Sequence, residues 1–92
     1  MAERDLETYL RNKARTASGE VRKVRWIGRR NAPDDLVLLR GRHFYIELKV
    51  KGKRPTAAQE REHNRMRRSK MNVEWANTKE GIDDIFTRYC TC

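Results

Sequence analysis

The sequence predicts an α/β chain of α+β character: a mixed central β-sheet flanked by helices, in the order α-β-β-β-α-β-α. Three observations carry that prediction. Apolar residues recur at helical spacings in two stretches, 4–17 and 78–89, and a capping signal opens a third helix at Thr56. The remaining apolar residues fall in short runs bounded by glycine, proline and basic turns, as strands do. A strand, a helix and another strand then follow in succession, and a helical crossover of this kind joins parallel neighbours in one sheet. At 92 residues, positions 1–92 form a single domain, close to the size at which one core is only just sufficient.

The elements follow in order. Leu6, Leu10, Ala14 and Ala17 form one apolar stripe, which predicts a helix over 4–17 ended by Ser18-Gly19. A strand is expected over 21–27, with Val24 and Trp26 on one face and Lys23 and Arg25 on the other. Residues 28–33 read as a loop. Strands over 35–39 and 43–50, joined by Arg40-Gly41-Arg42, read as an antiparallel hairpin. A basic loop, 51–55, leads to Thr56, whose spacing to Gln59 matches a capping box and predicts a helix to about Ser69. A fourth strand is expected over 73–76. A last helix is expected over 78–89, with Ile82, Ile85, Phe86 and Tyr89 on one side.

Charge is the first functional clue. Lysine and arginine number 22 against 13 acids, a net charge of +9, and the isoelectric point is near 10.2. Such an excess attracts polyanions, of which nucleic acid is the commonest. Mean hydropathy is −1.02, and no run is long and apolar enough for a membrane span or a signal peptide. Cys90 and Cys92 stand too close together to staple anything, and no partner lies at zinc-ligand spacing around them. They read as thiols, which fits the reducing cytoplasm.

The chemistry concentrates in Pro33-Asp34, followed thirteen positions later by Glu47-Leu48-Lys49. On a strand, side chains at i and i+2 share a face, so Glu47 and Lys49 point together while Ile46, Leu48 and Val50 point into the opposite layer. A hairpin would bring Asp34 close to Glu47. Two carboxylates held close repel each other. A hard divalent cation relieves the conflict and offsets charge building on a scissile phosphate. Lys49 adds a fixed positive charge beside them.

Those residues, with Gly28-Arg29-Arg30-Asn31-Ala32-Pro33-Asp34, Leu36-Val37-Leu38-Leu39, Phe44-Tyr45-Ile46-Glu47-Leu48-Lys49, Gly52 and Gln59, resemble the VRR-NUC branch of the PD-(D/E)xK nuclease superfamily. The resemblance runs over essentially the whole chain. It implies a restriction-endonuclease-like core in which Asp34 and Glu47 ligate Mg²⁺ or Mn²⁺, with the Leu48 carbonyl as third ligand. It further implies that Lys49 is the catalytic lysine, that Gln59 sits at the site, and that Glu7 completes its acidic side. Asn31 stands where family members often carry glycine; asparagine tolerates left-handed backbone, so the turn is preserved. Asp35, next to Asp34, is the alternative ligand.

Plainer roles exist for several of these residues. Glu47-Leu48-Lys49 could be a charged strand edge, Gln59 the reciprocal partner of Thr56, and Glu7 half of a helical pair with Arg11. His63 and Met66 read as the inward edge of their helix, with a metal ligand or general base the lesser alternative for His63, and Trp26 and Trp75 read as core or interface aromatics rather than base-stacking platforms. Arg29 and Arg30 before the site, and Lys51, Lys53 and Arg54 after it, are the expected phosphate contacts, giving affinity with little base discrimination.

Taken together, these readings lead to the expectation of a metal-dependent endodeoxyribonuclease with no small-molecule cofactor. It would be selective for branched DNA, above all four-way (Holliday) junctions, and act as a homodimer in the cytoplasm of a bacterial host, with a phage source implied by the resemblance. The alternatives are flap, nicking or general duplex cleavage on the same site, and a basic DNA-binding module without catalysis.

Overall fold

The structure is a computed structural model and describes residues 3–90; Cys92 lies outside the described residues. Seven elements follow the expected order: α1 (Glu3–Thr16), β1 (Glu20–Lys23), β2 (Asp35–Leu39), β3 (Arg42–Leu48), α2 (Ala57–Arg68), β4 (Val73–Ala76) and α3 (Lys79–Cys90). The strands form one four-stranded sheet in the order β1-β2-β3-β4. β1 pairs antiparallel with β2, and β2 with β3 across the Gly41 turn. β4, returned by the α2 crossover, pairs parallel with β3, so the sheet is mixed.

Alternation along the strands divides the sheet into two faces. Val37, Phe44, Ile46, Leu48 and Ala76 point to one of them and meet Leu6, Leu10 and Ala14 of α1 with Ile82, Ile85 and Phe86 of α3. Fully burying a side chain such as Leu6 stabilises by about 1.5–3 kcal/mol, which makes this layer the main source of stability. Phe44 stacks on Tyr89 and meets Phe86 edge-on, with ring centroids 4.5 and 5.6 Å apart. The opposite face is covered in part by α2, which buries His63 and Met66. Ile27 stands out as a large apolar side chain on the surface, 93% exposed.

Helix ends follow local chemistry. The hydroxyl of Thr56 accepts the Gln59 backbone N–H at 3.1 Å while the Gln59 side chain accepts the Thr56 N–H at 2.9 Å, a complete capping box. α1 stops as predicted, but the left-handed residue is Ser18, at φ +64°, rather than Gly19. Gly19 is required for another reason. A Cβ there would lie 2.2 Å from the Leu38 carbonyl oxygen, because the chain passes directly against β2. Gly19→Ala is therefore expected to lower unfolding stability by about 1–3 kcal/mol, read as a lower urea midpoint at unchanged slope.

β1 ends earlier than the sequence predicts, at Lys23 instead of residue 27. The Val24 N–H still donates to the Asp34 carbonyl at 2.9 Å. The chain then folds back: the Trp26 indole N–H donates to the Pro33 carbonyl at 2.7 Å, and the Arg29 N–H to the Trp26 carbonyl at 3.3 Å. With its polar groups turned inward on the loop, this segment cannot continue the ladder. Asn31 takes φ +67°, the left-handed geometry expected of it.

Candidate active site

Asp34, Glu47 and Lys49 are brought together by strand register. Asp35 pairs with Ile46 at the end of the β2–β3 ladder, which puts the neighbouring residues Asp34 and Glu47 at the same end of the sheet, and Glu47 pairs in turn with Trp75 of β4. Glu47 and Trp75 lie on the face turned to α2, and Asp34, just before β2, is joined to Val24, just after β1, by the Val24 N–H bond to its carbonyl. Lys49 lies on that face two residues beyond Glu47, held in strand geometry by its N–H, which donates to the Ala76 carbonyl at 2.9 Å. The two aspartates part company. The Asp35 side chain is only 1% exposed among the core-facing residues, whereas that of Asp34 is 61% exposed.

Glu47 meets helix α2. Its Oε1 atom lies 3.6 Å from Nε2 of His63, beyond hydrogen-bond reach, and both atoms are buried without a hydrogen-bond partner. A buried carboxylate oxygen lacking a donor is what a hard cation would satisfy, so the donor set of Glu47 and Asp34 fits a divalent metal with oxygen ligands. Gln59 is one turn before His63 on the same helix, and its carbonyl is committed to the capping box.

Glu7 is linked to Asp34 and Asp35 through Lys23. Among the described residues no group of three or more histidine, cysteine, aspartate or glutamate side chains is arranged to hold a metal. This ion network lies on the α1 side. Oε1 of Glu7 is 3.3 Å from Nζ of Lys23 and 3.4 Å from Arg11, and Lys23 also reaches Asp35 at 3.1 Å and Asp34 at 3.6 Å. The long lysine side chain spans from the core face to the strand end, drawing in the carboxylate that the acidic side was expected to use.

Burial raises the Asp35 carboxyl, and the negative charge of Glu7 adds to it, against the lowering effect of Lys23, so that the pKa is pushed up to about 7. A carboxyl raised in the folded state contributes stability that is full below its ordinary range and declines as pH rises through about 7. The urea midpoint of the wild type is thus expected to fall between pH 5 and 8.5. Asp35→Asn, which cannot ionise, should show a flatter profile over the same interval.

Comparison with known proteins bears on the fold and the family. No family model matches the chain. It is 38% identical over 65 residues, 70% of each protein, to "Putative nuclease p44" of Acyrthosiphon pisum secondary endosymbiont phage 1. A solved structure named VRR_NUC domain superposes with a TM-score of 0.84 at 32% identity, covering 95% of this chain and 96% of that one. The chain belongs to the VRR-NUC family.

The basic residues around this VRR-NUC site differ in what they are tied to. Arg29 is held by Glu62 of α2 at 2.6 and 3.2 Å, and Glu62 also accepts from Arg65 at 2.7 Å. The Arg29 hydrogen bonds hold the Glu62 carboxyl below its usual range. Arg29 therefore fastens the loop before Asp34 onto α2, a role the sequence reading, which gave it to phosphate, did not anticipate. Arg30, Lys51 and Lys53 are exposed. Arg54 lies over the ring of Trp75 at 5.3 Å, beside the strand carrying Glu47, and the Lys53 carbonyl accepts from Asn77 at 2.8 Å, tying the basic loop to the end of β4. Trp26 packs on Tyr45 with ring centroids 5.3 Å apart, a structural aromatic as expected.

Two residues of this VRR-NUC domain, Lys23 and His63, touch the candidate site more closely than the sequence suggests. His63 gave a signal in its four-residue spacing from Gln59, which marks it as inward-facing. Lys23 gave none. No helix of the described residues is long and apolar enough to cross a membrane.

Proposed function

We propose that this VRR-NUC domain is a divalent-metal-dependent endonuclease that hydrolyses DNA phosphodiester bonds. It would select branched DNA, four-way junctions above all, and work as a homodimer in the cytoplasm of a bacterial host cell. The observation that supports the reading is that Asp34 and Glu47 fall at one end of the β2–β3 ladder, each next to a member of the Asp35–Ile46 pair, with Lys49 two residues beyond Glu47.

Asp34 and Glu47, with the Leu48 carbonyl, would hold Mg²⁺ or Mn²⁺. When bound, the cation activates water and offsets the charge that builds on the scissile phosphate. The chain's own residues do the rest. Lys49 sets a permanent positive charge beside the two carboxylates, where it orients the attacking water and stabilises the phosphorane-like transition state. Arg30, Lys51 and Lys53 hold phosphates on either side of the scissile bond, and Arg54 is steadied by Trp75 for the same task. These groups recognise backbone shape rather than base identity, which favours selection by DNA structure. A two-fold pair of such sites would cut a four-way junction symmetrically.

A panel of labelled duplex, flap, fork, nicked and four-way substrates tests this with Mg²⁺ and with Mn²⁺. Paired symmetric cuts in the four-way junction are expected, together with a dimer by sedimentation at micromolar concentration. Equal cutting of plain duplex would remove the structural selectivity, and a strict monomer would remove the dimer.

A further inference from the structure

The pair formed by His63 and Glu47 is unlike an ordinary core contact. His63 is 1% exposed, and its Nε2 points at Glu47 Oε1 across 3.6 Å with neither atom satisfied by any hydrogen bond. Buried polar atoms are rarely left this way, and two that face each other call for a common partner. The gap is too long for a hydrogen bond. It is close to what one ion requires, since donors bound at about 2.1 Å to a single cation stand roughly 3–3.5 Å apart.

Resting on the metal-nuclease reading above, we infer that Nε2 of His63 and Oε1 of Glu47 form a two-residue ligand pair for the divalent cation, favouring transition ions such as Mn²⁺ while still admitting Mg²⁺. Mg²⁺ takes oxygen ligands and keeps its waters, whereas imidazole suits first-row transition ions. The cation then sits between β3 and α2, and the Thr56–Gln59 cap fixes the helix that delivers the nitrogen.

The test uses the full chain without DNA and Mn²⁺ as the probe. Mn²⁺ binding is followed by loss of the free-ion electron paramagnetic resonance signal, and nitrogen ligation by pulsed measurement of ¹⁴N coupling. ¹⁵N-histidine labelling of the unsubstituted chain should change that coupling to the ¹⁵N pattern. His63→Gln should abolish it and weaken Mn²⁺ binding at least as much as the ~10–100-fold typical of a lost outer-shell partner, with Mg²⁺ competition little changed. Circular dichroism and a melting curve check that the variant is folded.

Bound Mn²⁺ without histidine-dependent coupling overturns the inference while leaving a carboxylate-only nuclease site intact. No Mn²⁺ binding at millimolar concentration overturns it as well. Histidine coupling in a protein that cuts no DNA supports it and counts against the nuclease reading instead.

Discussion

Replacing Lys49 by alanine should slow DNA cleavage on the order of 10²–10³-fold in single-turnover measurements with Mg²⁺ or Mn²⁺, while DNA affinity changes only a fewfold. The asymmetry follows from where the ammonium stands. Lys49 follows Glu47 by two residues and its backbone N–H is bonded to the Ala76 carbonyl, and in the proposed mechanism its charge acts on the phosphate as charge develops there. Removing it takes away a stabilising group that acts chiefly in the transition state, and only one of many cations that attract the substrate. Lys49→Arg keeps the charge on a planar, bulkier head and should restore part of the rate. Cleavage by Lys49→Ala within a fewfold of the wild type would mean that the chemistry lies elsewhere and would favour a basic binding module.

The second large effect is on affinity. With about six phosphate contacts, the DNA association constant should fall on the order of a thousandfold between 50 and 200 mM monovalent salt. The net charge of +9 supplies the attraction, and the structure leaves Arg30 and Lys51 exposed while Arg29 is paired with Glu62. Arg30→Ala or Lys51→Ala should each lower the salt slope by roughly one. Arg29→Ala should act differently, because its guanidinium is paired with Glu62. Its loss frees the loop leading to Asp34 and lowers the cleavage rate with a small change in slope. A slope near zero for the wild type, measured by fluorescence anisotropy, would contradict a phosphate-tracking interface.

Much of this was legible in the sequence because it is local. α2 is foretold almost to the residue by Thr56 and Gln59, since a capping box needs only neighbours three apart. β4 is bounded as predicted. β1 is not, because its end is set by the Trp26 indole finding the Pro33 carbonyl, a bond that spacing does not announce. The same limit governs the site. Alternation said that Asp34 and Asp35 must face opposite ways but not which way each faces; that required the register pairing Asp35 with Ile46. Lys23 joining Glu7 to two aspartates, and Arg29 reaching Glu62 across 33 positions, are contacts between distant segments of the kind that periodicity cannot reveal.

Glu47 lies between Asp34, which precedes β2, and Trp75 of β4, and β3, which bears Glu47, acquires its second neighbour only when β4 returns from α2. In the proposed reading, competence to cut would therefore wait for β4, and a chain still emerging with its last thirty or so residues unmade would lack it. For an enzyme that would attack the cell's own genome, the completion of folding is itself the moment of arming.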